Sequence, residues 1–128
     1  MEKTILIDGK EVRLRASALV PRLYRFKFGR DMISDMRQLQ KAFGKVSSLP
    51  EGATEEERQD AQLSVLDLTI FENVAYIMAK HADKSVADDP DEWLDGFELF
   101  SIYQVLPTIL ELWGLSNQTT SVAKKNSV

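Results

Sequence analysis

No cysteine occurs among the 128 residues, which excludes a disulfide framework, a thiol nucleophile and a cysteine-ligated metal. Histidine is nearly as scarce. His81 stands alone, so a histidine-built metal site has no second ligand of its kind. No apolar run approaches the roughly 18 residues that cross a bilayer, and the first residues lack the apolar core of an export signal. A glycine-rich phosphate loop, a Gly-x-Ser-x-Gly elbow and a zinc-hydrolase motif are also missing. The expectation is a cytoplasmic, non-enzymatic protein with no catalytic, cofactor-binding or metal-binding residues.

What remains is ordinary in amount and unusual in arrangement. Hydrophobic residues make up 44% and charged residues 28%, enough for one globular domain with a real core. Residues 1–45 hold eleven Lys/Arg against five Asp/Glu, a net +6, while residues 46–128 hold five against fifteen, a net −10. Such a split suits an acidic partner, or self-association through an opposite patch on another copy. The basic end is concentrated in residues 19–31, where Arg22, Arg25, Lys27 and Arg30 interleave with Tyr24, Phe26 and Phe28 before Gly29 and Asp31.

The chain reads as mainly α: about five helices behind a short N-terminal hairpin, with one domain over residues 1–115 and a flexible polar tail over 116–128. Residues 4–15 alternate as two strands about Asp8-Gly9, and Gly9 supplies the positive φ of the turn. Such a hairpin is marginal alone and must lie against helices. Ser17 is a cap for a first helix that Gly29 ends, with Leu19, Leu23 and Phe26 facing the core and Arg22 and Arg25 facing solvent. Asp31 opens a second helix, whose stripe is Met32, Met36, Leu39, Phe43 and Val46.

Thr54 and Glu57 form a capping box for the longest helix, running to about residue 80 and apolar over a width that makes it central. Asp89-Pro90 with Glu92 opens another, with Trp93, Leu94 and Phe97 as its apolar face. Pro107 argues for a break near residues 103–105 and a last helix to Trp113, ended by Gly114. Trp93 and Trp113 read as core rather than contact.

Few residues offer chemistry. His81, at a helix C-terminus, reads as a cation complementing the helix dipole. Glu55-Glu56-Glu57 and Asp88-Asp89-Asp91-Glu92 lack the ligand spacing of a calcium loop and stand where helix starts favour negative charge. The basic aromatic segment is the one strong candidate. Its plain alternative is an amphipathic helix with a solvated basic face. Nucleic acid is the less favoured ligand, because the chain is acidic overall (pI ≈ 5.0) and shows no reader motif.

The hairpin with Ile7-Asp8-Gly9-Lys10-Glu11-Val12, followed by Tyr24-Arg25-Phe26-Lys27-Phe28-Gly29-Arg30-Asp31, resembles the tail assembly chaperones of long-tailed bacteriophages (siphophages) of Gram-positive hosts. The resemblance continues through Tyr76-Ile77-Met78-Ala79-Lys80, Glu92-Trp93-Leu94 and Leu110-Glu111-Leu112-Trp113, covering about residues 4–115. It implies a protein that binds the tape measure protein in the host cytoplasm, keeps it soluble, helps recruit the major tail protein and is absent from the mature virion.

In many such phages a slippery stretch near the end of the gene yields a longer −1 frameshifted form. Lys124-Lys125-Asn126 is what A-AAA-AAC encodes, with the first A closing the Lys124 codon. The family supplies no binding motif to transfer. Arg22, Arg25 and Arg30, with Tyr24 after them, are therefore partner-binding candidates by charge and expected exposure. The alternatives are a structural tail or connector component retained in the virion and a nucleic-acid-binding phage regulator.

Overall fold

A computed structural model describes residues 1–114, the side chain of residue 60 excepted. The tail and its Lys124, Lys125 and Asn126 lie outside the described residues.

Strands β1 (Glu2–Ile7) and β2 (Lys10–Arg15) form the expected antiparallel hairpin, with Ile5 opposite Val12 and Ile7 opposite Lys10. Asp8 and Gly9 both take positive φ, 56° and 77°, the two-residue turn that matches strand twist. Alternation puts Ile5, Ile7, Val12 and Leu14 on one face. Ile7 and Leu14 are fully buried. That face meets helices, β2 packing on α4 (Val65–Ala82) and β1 on α6 (Ile102–Leu112).

Helix α1 (Leu19–Phe28) ends at Gly29 in the left-handed conformation, φ 69°, whose N–H bonds the Arg25 carbonyl. Asp31 caps α2 (Met32–Ser47) by accepting from the Ile33 N–H. Met32, Met36 and Leu39 of the expected stripe are buried, and Phe43 packs half-buried at its end.

Six helices stand among the described residues where about five were expected, because the long one is two. The Thr54–Glu57 capping box is present, but it opens only the short α3 (Glu55–Asp60). A second box, Ser64 with Asp67, starts α4: the Ser64 hydroxyl accepts from the Asp67 N–H and the Asp67 carboxylate from the Ser64 N–H, both at 3.0 Å. Asp67 is a good closing residue because Gln38 of α2 also donates to it at 2.9 Å. Helix α4 is the central element, in contact with β2, α1, α2, α5 (Pro90–Leu94) and α6. Residues 74–79 are buried without interruption.

Pro107 does not break the last helix. It lies inside α6 on the exposed side, with Tyr103 four residues before it 59% exposed. The carbonyl it leaves unpaired therefore faces water, where the loss is small. The break falls earlier, over residues 95–101. Trp93 and Trp113 are half-buried against the core, as expected. Trp93 stacks edge-on with Tyr76, Phe97 and Phe100 at 5.3–5.8 Å between ring centroids.

Candidate functional site: a basic-rimmed groove between two helices

Helix α1 carries two apolar faces. Val20 and Tyr24 point inward and are fully buried, with Phe28 partly so and its ring 5.1 Å from that of Tyr24. Leu19, Leu23 and Phe26 form a second stripe at helical spacing. Only Leu23 reaches the core as the periodicity suggested; Leu19 and Phe26 do not. Leu19 is 45% and Phe26 67% exposed, and Leu23 is half-buried.

Opposite this stripe runs the second half of α4. Tyr76 and Ile77 form the buried floor, and Lys80 and His81 stand above them. The loop residues Lys84 and Asp88 close one side. The space between is an open groove of about 790 Å³.

The rim is organised by hydrogen bonds. Lys80 Nζ donates to the carbonyls of Lys84 (2.9 Å) and Val86 and to the Asp88 carboxylate (2.9 Å). Lys27 Nζ reaches the Asp88 carbonyl at 2.9 Å, and the Tyr76 hydroxyl donates to the Ala87 carbonyl at 2.6 Å. Lysines from both helices thus hold the 84–88 loop in place. The Lys80 ammonium keeps the Asp88 carboxyl below the usual carboxylate range, first through the hydrogen bond and then through its charge.

At the other end His81 Nε2 lies 2.9 Å from the Ser17 hydroxyl. Ser17 also accepts from the Leu19 N–H at 3.3 Å, so it serves the start of α1 from one residue before the formal cap, Ala18. The expected role of His81 as a helix-end cation is corrected here. Burial pushes its pKa below 6.5, and the positive charges of Arg15, Lys84 and the N-terminal amine add to that. Both effects favour the neutral imidazole over the cation.

The sequence candidates separate into three fates. Arg22 and Arg25 are exposed and bracket the Phe26 ring, their guanidinium carbons 4.6 and 5.7 Å from its centroid. Tyr24 is not a surface contact. It is fully buried, and its hydroxyl donates to Asp35 at 2.7 Å. Burial and then the Asp35 carboxylate push its pKa well up, so the phenol stays protonated.

Arg30 is committed within the fold. Its Nε and Nη2 each donate at 2.8 Å to the two oxygens of Asp35. The groove residues Lys80, Lys84 and His81 were not read as binding residues. Their signal was two lysines four apart in the otherwise acidic half of the chain.

The arrangement offers apolar contact and positive charge. Among the described residues no group of three His, Asp or Glu is placed to hold a metal, and no helix is long and apolar enough to cross a membrane. Comparison of the chain with known protein families, with curated proteins and with solved structures returns no match.

Proposed function

We propose that this chain is a tail assembly chaperone of a long-tailed bacteriophage, a non-enzymatic protein of the infected cell's cytoplasm. It binds the tape measure protein, keeps it soluble and helps recruit major tail protein, then leaves before the particle is complete. A longer −1 frameshifted form would accompany it. The observation that carries the reading is the apolar stripe of α1, exposed at Leu19 and Phe26, facing α4 across an open groove. A long helical ruler exposes apolar stripes until the tail tube surrounds it, and such stripes aggregate unless covered. A helical groove suits them. Self-association of copies through their opposite charges remains part of the proposal; light scattering indifferent to salt and to charge reversal at Arg22 and Arg25 would remove it.

Co-expression with the tape measure protein of the same phage tests the reading. The ruler is expected in the soluble fraction only when this chain is present, and the chain is expected to be missing from purified particles by mass spectrometry. A ruler equally insoluble with the chain sinks the proposal. A chain found at stoichiometric amounts in virions makes it a structural component instead. One observation favours the regulator reading: the exposed Phe26 ring, with two guanidinium groups beside it, is a surface on which a base can stack. That reading requires steeply salt-dependent DNA binding lost on replacing Arg22 and Arg25.

A further inference from the structure

We infer that the groove between α1 and α4 docks an acidic amphipathic helix of two to three turns, supplied by the protein this chain accompanies. The inference rests on the chaperone reading for the partner and adds the site and the chemistry of the segment it receives.

Three observations converge. The first is the spare stripe. Leu19, Leu23 and Phe26 recur at i, i+4 and i+7, the spacing with which one helix meets another, yet the fold covers only part of Leu23 and leaves Leu19 and Phe26 exposed. The second is size. A helix about 10 Å across fills roughly 120 Å³ per residue, so the groove's 790 Å³ has room for the inward face of a short helical segment.

The third is charge. Lys27, Lys80 and Lys84 line the groove against a single carboxylate, Asp88, which is already paired with Lys80, and Arg22, 4.6 Å from the Phe26 ring, adds a cation at its edge. Cations around an apolar floor favour a segment whose flanks carry Asp and Glu.

Other occupants fit less well. Residues 115–128 of this chain contain Lys124 and Lys125 and no acidic residue, so the rim repels them. Of the acidic helices a second copy could offer, α3 reads Glu-Glu-Glu-Arg-Gln-Asp and has no apolar residue to fill the floor, and the five-residue α5 keeps its Trp93 against its own core. A nucleic acid backbone likewise has nothing to place against Leu23 and Ile77.

The test is a titration of the full-length, isotope-labelled chain with synthetic helices, followed by amide chemical shifts. One peptide carries Leu and Phe at i, i+4 and i+7 with Glu elsewhere, the second replaces Glu by Lys, and the third scrambles the apolar positions. The acidic amphipathic peptide is expected to shift amides of α1, the second half of α4 and the 83–89 loop. The other two should bind at least about tenfold more weakly.

Phe26→Ser, at a site already exposed, should leave the melting curve unchanged and weaken docking about tenfold. Arg22→Glu with Lys84→Glu should reverse the charge preference. Equal binding of the basic peptide, shifts centred elsewhere, or indifference to Phe26→Ser overturns the inference. So do tighter binding of single-stranded DNA, peptide-free shifts that grow with protein concentration, and broadening of α1 by a spin label at Ser121→Cys. The last two would assign the groove to a second copy and to this chain's own tail.

Failure of the site and failure of the function are separable. A ruler still solubilised by Phe26→Ser places docking elsewhere and leaves the chaperone reading standing. Peptide docking as described with an insoluble ruler does the reverse.

Discussion

Asp35 lies within the apolar stripe of α2 and is only 4% exposed, yet both of its oxygens are used. Burial alone would raise its pKa; the hydrogen bonds from Arg30 and Tyr24 outweigh that and hold it below its usual value. Removing the phenol with Tyr24→Phe should cost about 1–2 kcal/mol, read as a lower urea midpoint. Asp35→Ala should cost more, because it strands the buried Tyr24 hydroxyl. The double mutant should fall short of the sum.

Glu72 shows the opposite balance. Burial raises its pKa and Asp91 adds repulsion. The folded state then binds its proton more tightly than the unfolded chain, so Glu72 subtracts stability as pH rises past its ordinary 4.5. Melting curves of Glu72→Gln and the natural chain should coincide in acid and separate toward neutrality, with the variant higher.

For His81 the depressed pKa works the other way. Its contribution is full above 6.5 and is lost as pH falls through the folded value, because the unfolded chain takes up the proton first. His81→Gln should flatten the fall in melting temperature between about pH 7 and 5. A variant that melts in parallel with the natural chain across that interval removes His81 from the account.

Among the elements, the helix ends carry the sharpest expectations. Gly29→Ala meets no atom within 4 Å, so its cost, about 1 kcal/mol, comes from the positive φ alone. Ser64→Ala should cost about 1 kcal/mol by uncapping the central helix, whereas Thr54→Ala, at the start of an exposed helix, should be close to silent in the same denaturation experiment.

These ends also show what could be read beforehand. The hairpin, the Gly29 stop, the Asp31 start and the centrality of the long helix were legible because each is fixed by local chemistry or by one periodic stripe. The second box at Ser64 was legible in principle, but an apolar pattern running through it favoured one uninterrupted helix. Pro107 misled because its cost depends on which side of the helix meets water.

Helix α1 misled for a deeper reason. Periodicity reports that a face is apolar, not which of two apolar faces finds the core. Tyr24 was placed at the surface although its partner, an acid inside the stripe Met32, Met36 and Leu39, was already visible as a residue that must be neutralised there. The groove itself needed the packing of α1 on α4, which no local pattern contains.

At the scale of the molecule, the +6 and −10 segments meet at the groove. Lys80 and Lys84 from the acidic half join Lys27 of the basic half around one groove, and Lys27 reaches across to the 84–88 loop. The fold thus mixes the two halves of the chain.

It does so again where the hairpin meets the last helix. The Asp8 carboxylate accepts from the Glu98 N–H at 3.0 Å, Gln104 donates to the Leu6 carbonyl at 2.9 Å, and Lys3 pairs with Glu111. In synthesis, β2 can therefore be covered once α4 has emerged, whereas β1 waits for α6 at nearly the end of the domain. Synthesis up to about residue 100 should leave β1 without its cover and the chain open to proteases and to premature association. The domain should then snap shut in one late step, visible as a single force peak in arrest-peptide profiling once α6 clears the exit tunnel.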